Sequence, residues 1–185
     1  MAEYYLISQL PSLDGIGESM PLPITVERFL GLCGEHLGKK AQIELKNMTL
    51  TPKKDLESSD SALLCEWNRR ERDLRLAMAK IRAAKMQKTF DTGEFSPDPE
   101  TVKTANAALG MTDPMEAEKY LDGYRLELLE SLRPSDGFSL DYVYYYGLKL
   151  MLMQRARRFD ADAGKTAYKN IYDSVLNGDG LEDRR

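Results

Sequence analysis

The sequence predicts an all-α protein: an irregular bundle of about six helices around one long central helix, with a short extended or helical segment at the N-terminus. Apolar residues recur at helical spacing over most of the chain. Between residues 60 and 178 no alternating segments are joined by an Asn-Gly turn, the pattern typical of a β-hairpin. A chain of 185 residues, 42% of them hydrophobic, has single-domain length. We therefore expect one helical domain over residues 1–178 and a frayed polar tail over 179–185.

The first third of the chain contains short elements. Tyr4 to Leu10 is aromatic and aliphatic but too short to assign, and either a strand or the first turns of a buried helix fits it. Thr25 is suited to cap a helix whose apolar residues share one face and which Gly38 can end. A weaker helix covers Lys39 to Leu45. The stretch from Lys46 to Ser61, with a proline and several charges, is typical of a loop.

The strongest segment is a helix from Ser61 to about Lys88, in which apolar residues recur every three or four positions. At about 1.5 Å per residue its length is about 40 Å, which predicts the central strut of the bundle. Continuing the apolar stripe places Glu71 on the buried face and Arg70 at its edge, and a charge on that face must be paired. The stripe consists of Leu63, Leu64, Trp67, Leu74, Met78 and Ile81.

Four more helices are predicted after a connector over Phe90 to Ser96, and each has a start or stop signal. They run from Ser96 and Pro97 to about Leu109, with Gly110 as the stop; from Asp113 and Pro114 to Pro134; from Ser139 to Phe159; and from Asp160 or Asp162 to Gly178.

Charge is segregated along the chain, although the whole protein has a net charge of only −4 and a pI near 5.2. Residues 69–88 include eight basic and two acidic residues, whereas residues 91–141 include twelve acidic and four basic ones. The balanced total disfavours a protein that coats nucleic acid. We expect the acidic segment to fold back beside the basic helix, or each to face a partner of opposite sign.

No residue set in the chain matches a catalytic or metal-binding pattern. His36 is the single histidine, so a Ser-His-Asp triad has one candidate base and a two-histidine metal site has none. At a helix end, it more often caps the helix dipole. Cys33 and Cys65 lie inside apolar helical patterns, where a reduced cysteine behaves as a small hydrophobic residue. We expect no enzyme, no cofactor, no metal and no small-molecule substrate; catalysis would depend on carboxylates alone.

The arginine-rich run from residue 69 to residue 75 is the best candidate for contact with another molecule. As a basic helix it could lie along phosphates with Trp67 as a stacking residue. The interpretation that we favour is a solvated face with intrahelical ion pairs such as Glu71–Arg75, or a protein partner, with Trp67 in the core. The aromatic cluster from Tyr142 to Tyr146 surrounds a helix, so at least one ring faces a neighbouring helix or a partner. The predicted interaction residues are Arg69, Arg70, Arg72, Arg75, Tyr142, Tyr145, Tyr146, Arg155 and Arg158.

The sequence also predicts a cytoplasmic protein without direct membrane insertion. The N-terminal segment has an acid where a secretory signal has Lys or Arg, and Pro11 ends its apolar stretch. The longest apolar run, from Tyr142 to Met153, falls short of the roughly 20 residues that a membrane-spanning helix needs.

Three segments together carry a family resemblance. They are Glu3 to Leu13, Trp67 to Lys85, and Leu140 to Leu150 followed by Gln154 to Arg157 and Gly164-Lys165. These segments are similar to bacterial domain-of-unknown-function family 2764, whose genes tend to lie among those of V-type ATPases. That family in turn looks like a reduced relative of the V-type ATPase C subunit, called d in eukaryotes, an all-helical socket between the rotor shaft and the membrane ring.

The resemblance implies a non-catalytic helical component or assembly partner of a V-type ATPase, similar to this socket. Its partners would be V-type ATPase subunits, which would place it at the inner membrane through the complex. The alternative is a stand-alone helical module that binds nucleic acid or regulates a partner through the basic helix over residues 69–88. Because the net charge is −4, we do not expect nucleic acid as the partner.

Overall fold

The computed structural model describes residues 2–17, 20–52, 59–90, 97–158 and 161–176, and within these ranges the chain forms eight α-helices and no strand. The predicted all-α class is confirmed. The helices are α1 (Ala2–Gln9), α2 (Val26–His36), α3 (Lys39–Asn47), α4 (Ala62–Lys85), α5 (Pro99–Gly110), α6 (Pro114–Ser131), α7 (Leu140–Arg158) and α8 (Ala161–Leu176). In the part of the chain that the structure describes, no helix has the length and apolarity to cross a membrane.

The N-terminal segment, which either a strand or a helix fitted, is helix α1. It is only eight residues long, so it is too short to be stable on its own in water. Leu6, in its middle, is fully buried against the main core. Packing of this one face against the rest of the protein therefore stabilises the helix.

Three helices begin with side-chain caps at the residues that the sequence indicates. In each, an oxygen of the capping side chain accepts a hydrogen bond from a backbone N–H of the first turn. The N–H of Arg28 donates to Thr25 Oγ1 at 3.2 Å, and the N–H of Leu64 donates to Ser61 Oγ at 3.2 Å. The N–H of Met115 donates to Asp113 Oδ1 at 2.8 Å.

Two predicted boundaries around α4 and α5 are corrected. Helix α4 ends at Lys85 rather than Lys88, because Gln87 takes a positive φ of 54° and breaks the helical hydrogen bonding. Helix α5 begins at Pro99, later than predicted, and the proposed cap Ser96 lies outside the described residues. Gly110 is the last residue of α5 rather than the residue after it.

The ends of the last helices also differ from the prediction. Helix α6 ends at Ser131, three residues before Pro134. Helix α8 begins at Ala161, so Asp162 lies inside its first turn and does not precede it. Phe159, Asp160, Gly178 and the tail over 179–185 lie outside the described residues.

The described helices enclose two groups of buried apolar side chains, and α4 extends through both. Its first half contributes Leu64 and Trp67 to the larger core, which includes residues of α1, α2, α3, α6 and α7. Its second half contributes Leu74 and Ala77 to a smaller core shared with α5 and α6. The predicted strut therefore connects the two cores.

The centre of the larger core is α7, and not α4 as the length of α4 predicts. Helix α7 packs against α1, α2, α3, α4 and α6, whereas α4 packs mainly against α5 and α7. All residues from Val143 to Leu150 are buried. A helix that is surrounded by others is expected to be apolar on every side. The aromatic and aliphatic run of α7 meets this expectation, whereas α4 is charged along one side.

The close approach of α2 to α7 requires a glycine at position 147. A Cβ atom there would lie 2.6 Å from Met48 Cε and 2.9 Å from Phe29 Cε1, well inside van der Waals contact. The methionine tip can move aside, but the phenylalanine ring is fully buried and cannot.

We predict that Gly147→Ala lowers the free energy of unfolding by about 1–3 kcal/mol, because overpacking at Phe29 outweighs the better helix propensity of alanine. Gly123→Ala in α6 is the matched control. Nothing lies within 4 Å of the added methyl group, so this change should stabilise by about 0.5–1 kcal/mol. Urea unfolding of the two variants measures both effects, and a stabilised Gly147→Ala variant would contradict the packing argument.

Candidate protein-interaction surfaces and the buried ion network

Glu71 is fully buried in α4, where the apolar stripe predicts it, and two arginines bind its carboxylate. Arg75, one turn along α4, donates from Nε to Oε1 at 2.8 Å. Arg125 on α6 donates from Nε to Oε2 at 3.0 Å and from Nη2 to Oε1 at 3.2 Å, which is a bidentate pair between two helices. The prediction that a charge on this face is paired is confirmed, with Arg75 as one partner.

The same ion pairs continue from α6 to α7. Arg125 Nη1 donates to Asp122 Oδ1 at 2.8 Å, and Asp122 and Arg125 are each 4% exposed. Arg155 on α7 lies 3.6 Å from Asp122 Oδ2 and donates to Glu118 Oε2 at 2.6 Å. Burial opposes the charge of Arg125, but the carboxylates of Glu71 and Asp122 outweigh it and raise the pKa of Arg125. We call this alternating series the buried ion network: Arg75, Glu71, Arg125, Asp122, Arg155 and Glu118.

The predicted arginine run is neutralised within the chain. Each ion pair described for these arginines joins one of them to a carboxylate of α4 or to a carboxylate of the acidic segment before α5. Arg72 also has an interaction partner. Hydrogen bonds from Arg69 help to lower the pKa of Glu66 to about 2. The interpretation as intrahelical ion pairs is confirmed, and Trp67 is in the core at 1% exposed. The pairs are Arg69–Glu66 (2.5 Å), Arg69–Asp73 (3.4 Å), Arg70–Glu66 (2.9 Å) and Arg70–Asp98 (3.5 Å).

Among the cations of α4 and the turn that follows it, those without a carboxylate partner in the described ranges lie at the C-terminal end of the helix. Lys80, Arg82 and Lys88 are exposed there, and Lys85 donates to the carbonyl oxygen of Leu109 at 2.6 Å. Because their positions are spread around the helix axis, they surround the helix end rather than form one stripe. Met86, 60% exposed, lies among them. We call Lys80, Arg82, Lys85, Met86 and Lys88 the basic end of α4.

The predicted tyrosine cluster lies mainly inside the chain. Tyr145 and Tyr146 are 2% and 4% exposed, and Tyr142 is half-buried. The rings of Tyr142 and Tyr145 pack 5.6 Å apart, and Arg133 lies over both at 5.9 and 5.7 Å. The area of these side chains is therefore used mostly in the protein's own core.

A lysine on α7 binds the loop after α1. Lys149 is 8% exposed and donates to Asp14 Oδ1 at 2.6 Å, while Glu130 Oε1 lies 2.6 Å away on its other side. Burial of Lys149 opposes its charge, but the hydrogen bonds to Asp14 and Glu130 outweigh this and raise its pKa. Charge on Lys149 therefore holds the loop and the end of α6 together against α7.

Further contacts extend this attachment along α7. The Tyr146 hydroxyl donates to the carbonyl oxygen of Pro11 at 2.8 Å. Arg157 donates to the carbonyl oxygens of Gly17 at 2.8 Å and Met20 at 3.1 Å. We call residues 10–17 and 20–24 the strap, because their contacts with α7 follow the chain direction of that helix.

The sequence interpretation named Arg155 and Arg158 on α7 but missed Lys149 and Arg157. Arg155 belongs to the buried ion network, and the side chain of Arg158 lies outside the described residues. The signal for Lys149 was present, because it is the one charge inside an apolar run. Arg157 binds backbone carbonyl oxygens, which leave no pattern in a sequence.

An open cavity of about 180 Å³ lies between α1, the strap and α7. Apolar and aromatic side chains line most of it, with Lys149 and Asp14 at one side. Its walls are Ile7, Leu10, Pro11, Ser12, Leu13, Asp14, Tyr142, Tyr145, Tyr146 and Lys149.

Two groups of aromatic and aliphatic side chains face the solvent. The first, the α1 surface, consists of Tyr4, Tyr5 and Phe138, which are 54%, 60% and 53% exposed; the Tyr4 ring lies 5.9 Å from Tyr5 and 4.9 Å from Phe138. The second, the α8 stripe, consists of Tyr168, Ile171 and Tyr172, which are 71%, 64% and 52% exposed. Its two tyrosine rings stack 6.2 Å apart. Neither surface was among the predicted interaction residues.

His36 and the two cysteines, which the sequence analysis considered for catalysis, lie in surroundings typical of structural residues. His36 is the last residue of α2, and its Nε2 lies 3.2 Å from Gln9 Nε2. Neither Cys33 nor Cys65 forms a disulfide, and burial raises the pKa of Cys33 to about 12, which disfavours the reactive thiolate. In the described ranges no three His, Cys, Asp or Glu residues are grouped as metal ligands would be.

Comparison with protein-family models, with curated proteins and with solved structures gives no match for this chain.

We predict that Glu71→Gln lowers the free energy of unfolding by about 3–5 kcal/mol, because it leaves Arg125 buried without its main partner. Glu66→Gln, which removes one carboxylate from a partly exposed pair on the same helix, should cost about 0–1 kcal/mol. Chemical denaturation compares the two. A double variant, Glu71→Leu with Arg125→Met, should recover much of the loss, and equal costs at positions 66 and 71 would contradict the role of burial.

We also predict that stability falls as the pH rises above about 10, because burial raises the pKa of Tyr145 to about 12 and raises those of Tyr144 and Tyr146. An unfolded tyrosine loses its proton near its ordinary pKa of 10.0, whereas the folded protein keeps it; the unfolded state therefore gains relative stability in that range. The loss of Lys149's charge acts in the same direction at still higher pH.

The measurement is the urea midpoint from about pH 8 to about pH 11. Tyr146→Phe should lower stability by about 1 kcal/mol at neutral pH, because its bond to Pro11 is lost. The same variant should show a shallower decline at alkaline pH than the wild type. A midpoint that stays constant over this range would contradict the prediction.

Proposed function

We propose that the chain is a non-catalytic helical component or assembly partner of a V-type ATPase, acting through protein–protein contacts on the cytoplasmic face of the membrane. The resemblance of Glu3 to Leu13, Trp67 to Lys85 and Leu140 to Leu150 to a family whose genes accompany V-type ATPases supports the identity of the complex. The exposed cations at the basic end of α4 support the mode of contact.

The basic end of α4 is the observation that carries the proposal. The arginines nearer the core are paired, whereas Lys80, Arg82 and Lys88 face the solvent on a protein whose net charge is −4. Such a local surplus of one sign orients an acidic partner surface and speeds its association. Met86, at 60% exposed, offers apolar area at the same place. An acidic surface of an ATPase subunit would fit this end.

The same cations support a second candidate, a module that binds nucleic acid. Lys80, Arg82 and Lys88 could contact phosphates, and the binding would weaken with salt by about one log–log unit per phosphate neutralised. The carboxylate partners of Arg69, Arg70 and Arg75 and the burial of Trp67 reduce the support for this candidate, because these three cations are already paired and the stacking residue is in the core.

Copurification from native membranes tests the proposal. Tagged protein should retain V-type ATPase subunits after mild solubilisation. The triple reversal Lys80→Glu, Arg82→Glu and Lys88→Glu should lose them, because its charge repels an acidic partner. The matched control is Lys46→Glu, Lys103→Glu and Lys119→Glu, which makes the same change of charge at exposed positions elsewhere.

If the wild-type protein runs free while the ATPase subunits stay together, the proposal is wrong. If both triple variants lose the subunits equally, the basic end is not the contact. Binding of labelled duplex DNA at low salt, lost in the first triple variant alone, would favour the second candidate instead.

A further inference from the structure

The α1 surface and the α8 stripe are both exposed, and their dimensions prevent them from covering each other within one chain. Phe138 lies two residues before Leu140, the first residue of α7, and Leu140 lies about 27 Å along that helix from Arg158. Along α8, Tyr168 and Tyr172 lie about 10 and 16 Å from Ala161. If α8 folded back along α7, its stripe would end well short of Phe138.

The connection between the two helices does not supply the missing length. Three Cα steps join Arg158 to Ala161, at most about 11 Å. Packed helix axes are about 8–10 Å apart, so crossing to the side of α7 uses most of this reach. In addition, α7 is surrounded by other helices from Val143 to Leu150, which leaves no open side for α8. The α8 stripe of a chain is therefore not available to the α1 surface of the same chain.

The exposed areas favour a reciprocal arrangement of two copies. At about 200 Å² for each large side chain, the six residues of the two surfaces expose about 700 Å² together. A single contact between one α8 stripe and one α1 surface is no larger than a typical crystal contact, and the same holds for a stripe paired with a stripe. Two equivalent contacts between a stripe and an α1 surface bury about 1,400 Å², which is within the range of stable dimers. A two-fold axis provides two equivalent contacts when each copy gives its α8 to the other.

We propose that two copies of this chain form a two-fold dimer in which the α8 stripe of each copy packs on the α1 surface of the other. Tyr168, Ile171 and Tyr172 form the inserted face, and Tyr4, Tyr5 and Phe138 form the receiving face. Two exposed charges suit this pairing. Lys169 lies beside Tyr168 on α8, and Asp136 lies two residues before Phe138.

Sedimentation equilibrium of the purified full chain tests the dimer. The wild type should show twice the monomer mass of 21.0 kDa and dissociate on dilution. A stripe variant (Tyr168→Ser, Ile171→Ser, Tyr172→Ser) and a surface variant (Tyr4→Ser, Tyr5→Ser, Phe138→Ser) should each raise the dissociation constant at least about tenfold, because reciprocal pairing needs both faces. Ile43→Ser with Tyr120→Ser, exposed apolar residues outside both faces and outside the basic end of α4, is the matched control and should stay dimeric.

A photo-crosslinking residue at position 172 identifies the receiving face. In a mixture of isotope-labelled and unlabelled protein, crosslinks between copies should join α8 to α1 or to the segment around Phe138. Circular dichroism verifies that each triple variant keeps the wild-type helix content.

A wild type that stays monomeric at high concentration overturns the proposal. It is equally overturned if only one of the two triple variants loses the dimer, or if the crosslinks join α8 to α8, because each result indicates like-with-like pairing. These measurements use the purified chain alone, so their outcome is independent of the ATPase proposal.

Discussion

The packing of the second half of α4 depends on the pair between Glu71 and Arg125. A carboxylate with no exposed area is tolerable only if cations and hydrogen bonds replace the water that it loses. The guanidinium of α6 meets both oxygens of Glu71, which fixes the distance and the rotation of α6 relative to α4. Asp122 then extends the constraint to α7 through Arg155. One buried charge thus orients three helices, a role that apolar contacts, which are not directional, do not perform.

The smaller core complements this pair. It contains Ala77 on α4 and Ala105 and Ala108 on α5, so half of its six buried side chains are single methyl groups. Such a core buries little apolar area, and its helices would be loosely specified by hydrophobic contact alone. The ion network supplies the specificity there, while in the larger core aromatic side chains such as Trp67 and Tyr144 supply it through shape.

Local patterns in the sequence predicted local structure. The caps at Thr25, Ser61 and Asp113 and the pair between Glu71 and Arg75 depend on residues within four positions of each other, and all were recognised. Arg125, the stronger partner of Glu71, is 54 residues away, and no periodicity links the two. The sequence prediction placed α4 at the centre of the bundle because α4 is long. The better indicator of a central helix is apolarity on every side, which identifies α7.

The surfaces were also harder to predict than the fold. Arginines and tyrosines are common at interfaces, and the sequence interpretation therefore favoured them. In this fold Tyr145 and Tyr146 are buried in the core, and the arginines form ion pairs with nearby carboxylates. Exposure depends on which faces the helices turn outward, so Tyr4, Phe138 and Tyr168 became recognisable only from the assembled bundle.

The strap has a consequence for synthesis of the chain on the ribosome. Its contacts with α7 join residues 135 to 140 positions apart, so they cannot form until almost the whole chain has been made. At about 5–20 residues per second, the strap waits for about 7–28 s before its partners on α7 have been made. During that interval α1 can pack against α2, but the side of the strap that contacts α7 stays uncovered until α7 has been made.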